Sequence, residues 1–111
     1  MTLVQASPET QSWLQNLRDR LPHLEYSEAG YYATFRNKSI RGVFAYLNPA
    51  KRSIRLFLPL GPGNAPHLRP TLSTHSWAER FPGVFRIAGE DDLLEAARLI
   101  AKSYADALER T

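Results

Sequence analysis

Two neighbouring stretches with different patterns limit what this chain can fold into. Ile40 to Leu47 is apolar on both faces apart from Arg41, whereas Ser53 to Leu58 alternates, with Ile54, Leu56 and Leu58 pointing one way and Arg55 and Phe57 the other. Alternation with period two marks a strand that rests one face on a core, and an apolar run on both faces marks a strand paired on both edges. Asn48-Pro49-Ala50-Lys51-Arg52 between them reads as a turn, so Ser39 to Leu60 is a β-hairpin set in a larger sheet.

A sheet with an apolar face needs a covering layer, and the two ends of the chain supply it. Ser7-Pro8-Glu9 is a helix start: a capping hydroxyl, a proline at the first helical position and an acid on the positive end of the helix dipole. Trp13, Leu14, Leu17 and Leu21 then recur at helical spacing to about Arg20, and Pro22 ends the run. The final helix opens at Gly89-Glu90-Asp91-Asp92 and carries Leu93, Ala96, Ala97, Ile100, Tyr104 and Leu108 on one face. The acidic run is read as a helix start rather than a metal site, since no histidine lies near it in sequence.

Leu24 and Tyr26 alternate with polar residues, and Tyr31 to Arg36 is rich in aromatics, so two strands precede the hairpin, joined to it by Asn37-Lys38. Val84 to Ile87 is a fifth. The expected fold is a single α+β domain over residues 1–111: a two-layer sandwich whose antiparallel sheet of about five strands, four of them a meander, carries both helices on one face. The other face is expected to be open.

Between Leu58 and Val84 lies a stretch with five prolines (Pro59, Pro62, Pro66, Pro70, Pro82) and three glycines (Gly61, Gly63, Gly83), which excludes a regular strand or long helix by expectation. A loop this long is usually functional or disordered. Ser76 to Phe81 suits one helical turn that buries Trp77 and Phe81 and anchors the loop over one end of the sheet.

Charge is distributed unevenly. Residues 29–89 hold nine basic residues against Glu79 alone, a balance of +8, while residues 1–28 sum to −2 and residues 90–111 to −3. Basic charge therefore belongs to the sheet and its loops. By alternation, Arg55 and Arg86 point away from the helices, and Arg36, Arg41, Tyr32 and Phe57 are placed with them as a candidate anion or nucleic-acid surface, guanidinium forks for phosphate and rings for stacking. His67, His75, Trp77 and Arg80 share the long loop and are candidates for a site there. No phosphate-binding glycine loop, nucleophile elbow or His-Glu-x-x-His motif occurs, and His23, His67 and His75 lack the spacing of a metal pair, so no catalytic residue, metal or cofactor is expected. With no cysteine there is no disulfide framework. With no basic leader and no apolar run of membrane length, the expectation is a cytoplasmic protein without a membrane span.

The run Phe44 to Leu58, then Trp77, Arg80-Phe81-Pro82-Gly83-Val84-Phe85, Asp92-Leu93 and Ile100 to Tyr104, resembles a small prokaryotic family of unknown function. Its members are loosely labelled predicted transport proteins and sometimes occur attached to nuclease domains, and the resemblance implies no catalytic residues. The order of elements is similar to the YjbR-like and frataxin-like α-β-α folds, the first of which has been called DNA-binding-like. The iron role of frataxin rests on an acidic first helix, whereas here Glu9 and Asp19 are offset by Arg18 and Arg20, so iron binding is not carried over.

The functional expectation is a non-enzymatic binding module that uses a basic open sheet face for nucleic acid or another polyanion. A protein-interaction or homodimerisation surface, or a small-molecule site under the 59–83 loop, are the alternatives that sequence leaves open.

Overall fold

The computed structural model describes residues 7–37, 40–50 and 52–109, without the side chains at 37 and 40–42. The 37–38 turn and the Lys51 position of the hairpin turn thus lie wholly or partly outside the described residues.

Helix α1 spans Pro8–Arg20. The Ser7 hydroxyl oxygen accepts the Thr10 amide at 3.1 Å, and Pro8 occupies the first turn, where an amide would have no helical partner. The helix ends as Leu21 turns back to the Arg18 carbonyl ahead of Pro22. Strands β1 (Glu25–Glu28), β2 (Ala33–Asn37), β3 (Ile40–Pro49) and β4 (Ile54–Leu58) follow as a meander. After the Pro-rich stretch come β5 (Arg69–Pro70), β6 (Gly83–Ile87), a 3₁₀ turn at Glu90–Asp92 and helix α2 (Leu93–Glu109). The strands form one antiparallel sheet in the order β1-β2-β3-β4-β6-β5.

This is the expected α+β architecture, with β3 paired on both edges, but the sheet has six strands rather than about five. The additional one, Arg69–Pro70, lies inside the proline-rich loop, where no regular strand is expected. A two-residue strand at the edge tolerates a proline because only one side of it must pair.

The helices cover one face. Trp13, Leu14, Leu17 and Leu21 of the first helix and its end, and Leu93, Ala96, Ala97, Leu99 and Ile100 of α2, share one core with Phe35, Leu47, Ile54, Leu56, Leu58, Phe85 and Ile87 of the sheet. Leu108, expected on that face, is 48% exposed, whereas Tyr104 and Ala107 before it still pack against the core. The first half of the long loop joins the same core through Leu60, Ala65 and Leu68. Gly83 permits this approach: a β-carbon there would sit 2.2 Å from the Leu60 carbonyl oxygen, a backbone clash that cannot relax by side-chain rotation.

One irregularity in β3 ties the layers together. Phe35 lies opposite Ala45 but Arg36 lies opposite Val43, so Phe44 is an extra residue that bulges from the ladder. The bulge turns both Phe44 and Ala45 into the core. It also leaves the Phe44 carbonyl to be satisfied elsewhere, and the buried Ser103 hydroxyl of α2 donates to it at 2.9 Å.

Candidate anion-binding face

Directly opposed residues of an antiparallel sheet share a face. On the face away from the helices, Thr34, Tyr46, Phe57, Val84 and Arg69 therefore form one row across the strands, and Asn48, Arg55 and Arg86 form the next.

The first row is largely covered, which corrects the expectation of an open face. The segment from Thr71 to Pro82 closes on itself, with the Thr71 amide donating to the Pro82 carbonyl at 2.9 Å and the Thr71 hydroxyl to the Phe81 carbonyl at 2.6 Å. Within it the Phe81 amide reaches the Trp77 carbonyl at 2.9 Å, the single helical turn expected there. The loop lays its rings on the sheet: Trp77 stacks over Tyr46 with centroids 6.2 Å apart and meets Phe57 edge-on at 5.7 Å, and Phe81 lies 6.1 Å from Tyr46. Phe57 is consequently only 2% exposed and Phe81 8%. Phe57 is expected among the surface rings of the site, but its burial under Trp77 removes it from any stacking role. The anchor also sits over the middle strands, not at one end of the sheet.

The second row is open. Arg55, Arg86 and, beside Val84 of the first row, Arg69 are all exposed. The Arg55 guanidinium donates to the Asn48 amide oxygen at 3.3 Å and lies 5.9 Å from the Phe57 ring. Among the described residues none of these three arginines makes a salt bridge. They line a groove of about 880 Å³ at the β6 edge together with His67, Asp91, Asp92, Glu95 and Arg98. Two of its carboxylates are engaged. Asp92 accepts the Ala88 amide at 2.8 Å, and Glu95 pairs with Arg98 one turn along α2, which holds the Glu95 carboxyl below the ordinary carboxylate range. Asp91 is exposed.

Arg36 is exposed but stands apart, opposite Val43 and Glu25 on the far side of the covered row. The side chain of Arg41 lies outside the described residues. Tyr32, just before β2, stacks on Tyr46 at 4.6 Å and an interplanar angle of 23°. The Tyr46 phenol is pushed above its ordinary range by burial and by Tyr32, with Asn48 and Arg55 opposing.

The four loop candidates do not converge. His75 and Trp77 stack on each other at 4.3 Å, Arg80 is exposed beyond the Trp77 turn, and His67 belongs to the groove at β6. Arg69, Asn48 and Tyr46 were missed at the sequence level. The alternation of β4 continued through the hairpin register would have found Asn48 and Tyr46, whereas nothing in Leu68-Arg69-Pro70 signals a strand.

Among the described residues no group of three His, Cys, Asp or Glu is placed to hold a metal ion, and no helix is long and apolar enough to cross a membrane. Comparison with protein-family models, curated proteins and solved structures finds no match to the chain.

Proposed function

We propose that the chain is a non-enzymatic binding module that takes a phosphate-bearing polyanion, nucleic acid, on Arg55, Arg86 and Arg69. The observation that carries this reading is the direct opposition of Arg55 and Arg86 on β4 and β6, both exposed and neither bridged to a carboxylate among the described residues. Like charges directly opposed across strands weaken a sheet, so the pair costs stability until an anion lies between or over it. Guanidinium forks suit phosphate oxygens, which accept two parallel N–H bonds from each. The +8 balance of residues 29–89 adds long-range attraction for such a ligand.

The test is salt-dependent binding to duplex and single-stranded DNA. Three engaged phosphates on a duplex predict a slope of log affinity against log salt of about −3, and on a single strand about −2. The Arg55→Ala, Arg86→Ala double variant should bind more weakly and lower the magnitude of the duplex slope by roughly 2. Both residues are exposed, so the variant keeps its core. If no nucleic acid binds at low salt, or the double variant binds as the wild type does, the reading fails and a protein partner or a second copy of the chain becomes the ligand to seek.

A further inference from the structure

We infer that the nucleic acid taken by this patch is single-stranded and lies across the strands, with one base stacked on Tyr32 and its phosphates on Arg55 and Arg86. This rests on the binding reading above and adds to it the substrate class and the residue that selects it.

Ala33 opposes Leu47, so Tyr32, one residue earlier, falls in line with Asn48, which opposes Arg55, which opposes Arg86. With neighbouring strands about 4.8 Å apart, the Tyr32 backbone stands on the order of 10 Å from that of Arg55 and about 14 Å from that of Arg86 along the row. A ring, an amide and two guanidinium groups thus rise from one backbone row at nucleotide scale.

His75, Trp77, Tyr46 and Tyr32 form a ladder of successive stacks, at 4.3, 6.2 and 4.6 Å. Its middle is held by the closed loop over the sheet. Its Tyr32 end is half-exposed, and Tyr46 is the sole ring in contact with Tyr32 among the described residues. A ring already fixed on one face offers the other at little entropic cost, since the side chain is ordered before the ligand arrives. A base placed there extends the ladder by one step.

A duplex cannot use this arrangement. Its bases are paired and stacked inside, so only its phosphates would meet a sheet row, and among the described residues no helix projects from this face to enter a groove. A single strand presents both its phosphates and its base faces, the combination that aromatic and basic surfaces recognise without regard to sequence.

The experiment measures fluorescence anisotropy at low salt with a labelled oligo-dT strand, a duplex of equal length, and heparin, a polyanion without bases. Wild type should favour the strand over the duplex by about tenfold or more. Tyr32→Leu should lose on the order of tenfold for the strand, with heparin affinity and salt slope unchanged. Tyr32→Trp, which keeps a ring and covers the case in which leucine loosens the ladder, should bind the strand as well as wild type or better. Equal binding of strand and duplex, no loss in a folded Tyr32→Leu, or a weakened strand affinity in a folded Tyr32→Trp each overturns the inference while leaving the arginine patch standing. Loss of binding to all three probes in the wild type overturns the patch itself.

Discussion

Leu56 and Phe57 are neighbours on β4 and both are nearly sealed from solvent, yet they are sealed by different kinds of partner. Leu56 faces two helices, each of which buries several aliphatic side chains in one shared core. Phe57 faces a single loop, closed by two hydrogen bonds at Thr71 and seated by Trp77 and Phe81. A helix face resists local opening because each turn is bonded to the next and buried along its length, whereas a loop bonded mainly to itself can lift as a unit without disturbing the ladder beneath it. The helix side should therefore set global stability and the loop side local stability, which suits a surface whose recognition ladder runs through the loop.

The largest expected effect lies on the helix side. Leu56→Ala deletes a fully buried side chain facing α2 and should cost about 2–5 kcal/mol, read by urea denaturation. A loss below about 1 kcal/mol would be out of range for such a cavity and would erase the distinction between the faces.

Trp77→Ala tests the other side and should cost less, about 1–2 kcal/mol overall. The loop can relax into the vacated space, and the Trp77 indole N–H is already enclosed without an acceptor, which offsets part of what the ring contributes. Its sharper readout is hydrogen exchange. The Thr71 and Phe81 amides, which close the loop, should exchange about tenfold faster or more, with the Leu56 amide unchanged. Equal acceleration at Leu56 would show that loop and core open together.

The same contrast governs what could be read in advance. The hairpin, both helices and the face of Ile54, Leu56 and Leu58 were legible because period and caps are local signals. The covering of the second face was not, because it depends on where a proline-rich loop returns. A hint was present: Tyr46 and Phe57, neighbours across β3 and β4, make that face too apolar to be left in water. The Phe44 bulge and its Ser103 partner, 59 residues away, left no local trace, since a serine at an apolar helix position looks like any tolerated polar residue until the carbonyl it serves is known. Of the site, the Arg55 and Arg86 placement was legible from alternation. The separation of Arg36, the burial of Phe57 and the entry of Arg69 each needed the register.

The smallest effect expected is alkaline and also divides by face. Tyr26 of β1 points to the helix side, stacks on Phe35 at 5.4 Å and lies under the Arg18 guanidinium, 4.5 Å from its ring centroid. Its enclosed hydroxyl has no hydrogen bond of good geometry. Burial, and then the neighbouring Glu28 carboxylate, push its ionisation well above the ordinary 10.0, with Arg18 opposing weakly. Tyr46 on the loop side is raised as well, but it is flanked by Asn48 and Arg55, which favour the phenolate. For a phenol held protonated by the fold, the unfolded chain loses its proton first. The contribution to stability is thus complete below pH 10 and falls away as the pH rises beyond it. Stability measured from pH 9 to 11.5 should decline in the wild type, decline less steeply in Tyr26→Phe, and be altered little in Tyr46→Phe. A steeper relief from Tyr46→Phe would mean that the loop side, despite its thinner cover, excludes water from its tyrosine better than the helices do from theirs.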